Sequence, residues 1–236
     1  MTYPFVYFGA GGAEQCGGVG PSNYLANGPY ANNMKSIIGD ASTRNMIFLK
    51  RQTEGNKEKF TLFASFRRAT LARESVSNKF CTIIAPETGP SPQSAFCYFL
   101  LNSNDSLYFR NVWDDGTSVS WTTDCKLVDT DGFYNVVVSV DGKNNCNFWV
   151  NGKKVTATRN VDFLGANSVN KEGKWNDSRF DICVGGLKGL TQPGGNTSSP
   201  NPEWAFRGEM CIAGMIDGLY AETPNLFGFF DDRTDE

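Results

Sequence analysis

From Tyr134 to Val155 the chain reads YNVVVSVDGKNNCNFWVNGKKV, with apolar side chains on every second residue. Tyr134, Val136, Val138 and Val140 share one phase, and Cys146, Phe148 and Val150 share the next. Period two sends successive side chains to opposite faces of an extended strand, so this stretch must fold as β-structure with one face on a core. Asp141-Gly142 and Asn151-Gly152 interrupt it. Both dipeptides tolerate the positive φ of tight turns, which makes the stretch two successive hairpins. Trp149 alternates with Phe148 and Val150 and therefore belongs to the other face of its sheet.

The same alternation recurs along the chain. FTLFASF puts Phe60, Leu62, Ala64 and Phe66 on one face, and FDICVGG does so for Phe180, Ile182 and Val184. FRGEMCIAGMIDGLY sets Met210, Ile212, Gly214 and Ile216 in one phase. SAFCYFLL is nearly all apolar, as in a strand buried on both sides; the turn-like NSND follows it, then the strand-like SLYFRNVW. The one helical candidate is the short SVNKE. Many short strands joined by polar turns specify an all-β sandwich or barrel, and 236 residues suit one such domain. Residues 1–55, rich in Gly, Asn and Ala, read as an extended N-terminal arm or irregular edge with a first strand near Met46–Leu49. Residues 56–225 form the domain and 226–236 an acidic tail. The Pro/Gly/Ser/Asn run at 188–203 is either a functional loop or a tolerated insertion.

Composition removes several classes of function. A net charge of −3 and a pI near 5.2 leave no basic face for nucleic acid. The one basic run, RRATLAR with Arg67, Arg68 and Arg73, reads as a solvated face. Seven cysteines, an odd number without any C-x-x-C pair, fit neither a zinc ribbon nor a fully paired disulfide framework. Cys97, Cys146, Cys183 and Cys211 lie in apolar runs, where cysteine acts as a small hydrophobe. The opening MTYPFVYFGAGGAEQ lacks the pattern of a secretory signal, and no run approaches a membrane span. The expectation is a chain folded in a reducing cytoplasm, with no membrane partner.

Four pieces in order carry a resemblance: KFTLFASFR, then FYNVVVSV with VNGKKV, then FDICVGG, then FRGEMCIAGMIDGLY. Over residues 58–222 they resemble the laminin G-like, concanavalin A-like lectin/glucanase superfamily. Phe133-Tyr134-Asn135 stands where that superfamily often has Trp/Tyr-His, and this chain has no histidine. The resemblance implies a jelly-roll sandwich of two antiparallel sheets, one concave and one convex.

That fold hosts enzymes, lectins and structural modules, so function rests on residues. Glucanases of this fold carry E-x-D-x-x-E, a strand whose alternation points its carboxylates into one cleft; the chain has no E-x-D. Glycoside cleavage needs two carboxylates at a set separation, and Asp114-Asp115, adjacent in sequence, would point apart on a regular strand. Without histidine there is no Ser-His-Asp triad and no histidine metal site. No catalytic residue is expected. Glycans are held by aromatic faces beside planar polar groups, which singles out Trp113, Asp114, Asp115 and Trp121, then Trp175, Asn176 and Asp177, then Trp204. The competing reading of these tryptophans is core packing. No cofactor is required; calcium, common in the superfamily, would draw on Asp114, Asp115 and Asp177.

Three functions follow. The leading expectation is a non-catalytic structural or adhesion module of a virus particle, a bacteriophage capsid decoration or tail-associated protein, assembled in the host cytoplasm and displayed on the virion surface. Its partners would be capsid or tail subunits, further copies of itself, and a weakly bound cell-surface glycan. The second is a free carbohydrate-binding lectin. The third is a glycan hydrolase or lyase of the same fold.

Overall fold

The computed structural model describes residues 5–9, 37–39, 47–49, 53–71, 80–86, 97–163, 174–186 and 205–223, the first three stretches as backbone strands only. Among the described residues fourteen strands, β1 to β14 in chain order, form two antiparallel sheets. The first sheet runs β1 (Phe5–Gly9), β14 (Gly208–Asp217), β4 (Lys59–Arg68), β9 (Phe133–Asp141), β10 (Asn145–Val150) and β11 (Lys153–Val155), with β2 (Ile37–Gly39) also on β14. The second runs β12 (Ala157–Phe163), β8 (Thr117–Lys126), β7 (Ser106–Val112), β6 (Tyr98–Leu101), β5 (Cys81–Pro86), β13 (Ile182–Val184) and β3 (Ile47–Leu49). No helix occurs among the described residues, and none is long and apolar enough to cross a membrane. The expected jelly-roll sandwich is the architecture found. Three short strands of the 1–55 segment pair into these sheets, β1 and β2 on β14 and β3 on β13. SVNKE, the 188–203 run and the acidic tail lie outside the described residues.

The opening stretch forms β9, β10 and β11. Val136, Val138 and Val140 face the core opposite Ala64, Leu62 and Phe60 of β4. Asn151 and Gly152 both take positive φ, 48° and 76°, in a two-residue turn whose twist matches the flanking strands. The turn at Asp141-Gly142 is longer: Asp141 pairs with Asn145, leaving three residues in the loop. Trp149 lies on the far face, buried with Val137 and Ala221, as its alternation requires.

In β14 the expected phase fails partway. Met210 faces the core, but the register against β4 shifts between Met210 and Ile212. Beyond that bulge Ala213 and Met215, opposite Ala64 and Leu62, join the core in place of Ile212, Gly214 and Ile216. One extra residue in a strand exchanges its two faces.

Aromatic rings fill the space between the sheets. Phe109 of β7 contacts Phe60, Trp121 and Trp175 at centroid distances of 6.2, 5.8 and 5.8 Å. Trp175 enters from a turn rather than a strand and closes one end, its indole N–H donating to the Arg110 carbonyl at 3.1 Å. Each such ring contributes about 1.5–3 kcal/mol on full burial.

Arg68 does not lie on a solvated face. It is 1% exposed, donates from one Nη to Asp105 Oδ1 at 2.7 Å and from the other to the Leu127 carbonyl. The apolar residues around β4 bury the strand's C-terminal end, so its arginine is retained only because a carboxylate meets it inside. Asp105 lies in the β6–β7 turn at φ 68°, a left-handed conformation that Asn also tolerates. Asp105→Asn is therefore expected to keep the turn yet strand a buried guanidinium, lowering the unfolding free energy by about 3 kcal/mol in urea denaturation. A loss below about 1 kcal/mol would contradict the pairing.

Candidate functional site

Several sequence-predicted residues meet at one end of the sandwich. The β7–β8 hairpin turns through Trp113-Asp114-Asp115-Gly116, closed by Trp113 N–H to Thr117 O at 2.9 Å and Gly116 N–H to Trp113 O at 3.0 Å. With the 174–177 segment and the β9–β10 turn it borders a cleft of about 250 Å³. Lys57, Lys143 and Lys174 line it together with Asp114 and Asp115.

Asp114, Asp115 and Asp177 each have a cation. Asp114 accepts from Lys174, whose side chain is buried while the Asp114 carboxylate is exposed. Lys174 holds the Asp114 carboxyl below its ordinary range. Asp115 accepts from Lys143 and from the Thr117 N–H at 2.9 Å, and these bonds lower its pKa to about 2. Asp177, fully buried, accepts from the Arg179 backbone and guanidinium at 2.6–3.0 Å, with Lys57 at 3.4 Å. The expected calcium ligands are thus held apart on ammonium and guanidinium groups, and no group of three His, Cys, Asp or Glu side chains fit to hold a metal occurs among the described residues.

The tryptophans and Asn176 play structural parts. Trp113, Trp121 and Trp175 are 6%, 3% and 1% exposed and belong to the central core, so none presents a ring face to a sugar. Asn176, at φ 59°, donates to the Asn56 carbonyl at 2.6 Å and to Asp217 Oδ1 at 3.0 Å. It fastens the segment before β4 to the end of β14. Trp204 lies outside the described residues.

A second grouping, not singled out from the sequence, occupies the outer face of the second sheet. Register places Asn160, Ser120, Arg110 and Tyr98 in one row across β12, β8, β7 and β6. Thr158, Thr122, Tyr108 and Leu100 form the neighbouring row. The face divides: Ala85, Tyr98 and Leu100 are buried, whereas Tyr108, Arg110 and Thr122 are half-buried and Thr158, Asn160 and Asp162 exposed. The Tyr98 and Tyr108 rings lie 5.6 Å apart. Arg110 Nε donates to Ser118 Oγ at 2.8 Å, and the guanidinium forms no ion pair among the described residues. Burial opposes its charge, but the Tyr98 and Tyr108 hydroxyls beside it favour the cation more strongly. Burial, then Tyr108, pushes the Tyr98 pKa up to about 12, so its hydroxyl stays protonated. The only sequence signal for this face was the phase of SLYFRNVW opposite its core residues Leu107 and Phe109.

Asp177 supplies a pH test of the end structure. Its bonds to Arg179 hold the carboxyl well below the ordinary Asp value of about 3.9. That stabilisation is complete above about pH 4 and is lost as pH falls toward the folded value. Asp177→Asn should cost about 2 kcal/mol at pH 7 in denaturant unfolding, with the gap to wild type closing below about pH 3. A gap that persists unchanged in acid would count against the ionised carboxylate as its source.

No protein-family model matches the chain, and no curated protein sequence matches it. Among solved structures, it is similar to the CBM40 of the Ruminococcus gnavus IT-sialidase, at a TM-score of 0.49 and 12% identity over 82% of this chain and 98% of that one. The same module bound to α2,3-sialyllactose gives 0.48 and 13% identity, with the same coverage. The receptor-binding domain of botulinum neurotoxin type G gives 0.42 and 12% identity over 79% of this chain and 43% of that one. These are similarities in strand arrangement, at identities too low to carry over the role of any residue.

Proposed function

We propose that the chain is a non-catalytic, lectin-like module that holds a glycan on the open half of the outer face of the second sheet. The supporting observation is the Tyr108 ring beside the Arg110 guanidinium, which bonds to Ser118 and Tyr98 hydroxyls and not to a carboxylate among the described residues, within a ladder of hydroxyl and amide side chains. An amphipathic ring accepts the C–H face of a pyranose. The planar guanidinium, Asn160 and the Ser and Thr hydroxyls provide donors and acceptors for ring hydroxyls in a fixed plane. Strands support all of these groups, so the surface is organised before a ligand arrives, which limits the ordering cost of binding. In the end cleft, by contrast, a ligand would have to separate ion pairs already made.

We further propose that this module acts on the surface of a virus particle, bound to capsid or tail subunits. Its thiol chemistry supports that setting. Cys81, Cys125 and Cys146 carry free thiols, as suits a chain folded among reduced thiols and displayed only after assembly. Mass spectrometry of purified intact particles from cells expressing the chain should find it in stoichiometric amount; its restriction to the soluble fraction would refute this placement.

The binding reading is tested on a glycan array, followed by titration calorimetry with the best ligand. Tyr108→Ala and Arg110→Ala should each weaken binding about tenfold or more, a loss above 1 kcal/mol. Asp115→Asn, at the end cleft, should leave binding unchanged. An array without ligands, or variants that bind like wild type, would overturn it.

A further inference from the structure

β12 is the outermost strand of its sheet, and β8 is its one neighbour among the described residues. Every residue from Thr158 to Phe163 is exposed. Val161 and Phe163, at 50% and 69% exposure, are two of the three exposed large hydrophobics among the described residues. A strand in this position presents a row of unpaired backbone groups, and chains that must stay single blunt it with proline, a bulge, a charge or a very short strand. β12 has seven residues, no proline, and an unbroken register from Ala157↔Thr123 to Phe163↔Thr117. Its one cation, Arg159, is turned back to the β9–β10 turn, where it donates to the Lys143 carbonyl at 3.0 Å and to Asn144 Oδ1 at 2.9 Å.

The ladder's phase identifies the open backbone groups. Asp124 N–H donates to the Thr156 carbonyl at 3.0 Å. Antiparallel pairing alternates, so Thr158, Asn160 and Asp162 bond to β8, while Arg159, Val161 and Phe163 direct their N–H and C=O outward, the Phe163 N–H being met there by Asp162 Oδ1 at 2.8 Å. These three also share the face that carries the exposed apolar side chains.

We propose that β12 pairs antiparallel with β12 of a second copy about a two-fold axis at Val161, joining two second sheets into one continuous sheet. The strand's self-complementarity argues for a second copy as the occupant. With Val161 opposite itself, Arg159 meets the partner's Phe163, whose ring faces the aliphatic stem of the arginine while the guanidinium stays on the β9–β10 turn. Asn160 meets the partner's Asp162, an amide donor facing a carboxylate acceptor. Every facing pair among Arg159, Val161 and Phe163 exchanges reciprocal backbone hydrogen bonds, the Phe163 N–H trading Asp162 Oδ1 for the partner's Arg159 carbonyl. The contact is isologous and closes at two copies, and it brings the glycan faces of both into one plane.

Sedimentation of the full chain in reducing buffer tests this. The mass should rise with concentration to twice the chain's 25.9 kDa. Val161→Asp and Phe163→Ser should each weaken dimerisation about tenfold or more while melting within a few degrees of wild type. A single 25.9 kDa species at all concentrations, or a dimer indifferent to both substitutions, overturns the proposal. Register has its own arm. Facing α-carbons at Val161 would stand about 5.5 Å apart, within disulfide range, so Val161→Cys should oxidise to a covalent dimer and Thr158→Cys should not. Equal cross-linking at both positions would refute the two-fold at Val161. Glycan binding is read separately, so a monomer that binds glycan would remove the dimer and leave the function.

Discussion

The buried pair of Arg68 and Asp105 is the contact on which the relative placement of the sheets depends. Arg68 ends β4 in one sheet, Asp105 sits in the β6–β7 turn of the other, and the guanidinium also holds the Leu127 carbonyl after β8. Apolar packing between sheets is permissive, since Phe, Leu and Val side chains slide past one another at small cost. A forked cation with one carboxylate and one carbonyl partner is directional. It fixes β4 against the β6–β7 connection and, through β7, fixes the strand that carries Phe109 inward and Arg110 outward. A second polar seam, Thr61 Oγ1 with Ser139 Oγ at 2.8 Å, the Ala221 N–H on Ser139 Oγ and Thr61 Oγ1 on the Leu219 carbonyl, ties the chain after β14 over the far side of the first sheet.

The end cleft and the sheet face are mechanically linked. Trp175 stacks on Phe109 and bonds to the Arg110 carbonyl, while the next residues, Asn176 and Asp177, fasten that turn to Asp217 and Arg179. The residues the sequence offered as binding candidates thus act behind the proposed binding surface: they hold β7 in place, and Arg110 with it.

Period two made most of the architecture legible, since Phe60, Leu62, Ala64 and Phe66 needed only to be counted. Three things escaped it. β14 departed from strict alternation because a bulge depends on pairing with β4, which no local pattern records. Arg68 read as solvated because it stands among other arginines, and its partner lies in a distant turn. Of the two readings the sequence left for the tryptophans, platform or core, Trp113, Trp121 and Trp175 take the core, since indoles on a hairpin mouth can turn inward while an adjacent carboxylate stays wet. The Tyr108 and Arg110 face was the least visible of all. Its members come from four strands and become neighbours only through register.

The bulge in β14 has a consequence for how this strand can change. It acts as a parity switch: by absorbing one residue between Met210 and Ile212, it lets Ala213 and Met215, at odd counts from Met210, face the same core. Deleting one residue between Ile212 and Met215 would turn Met215 outward and bring Ile216 to the interior, whereas deleting the bulged residue itself would leave Ala213 opposite Ala64 and Met215 opposite Leu62. Point substitutions along β14 are graded in effect, but changes of length are all-or-none. Insertions and deletions should therefore be purged from this strand and collect in the connecting loops.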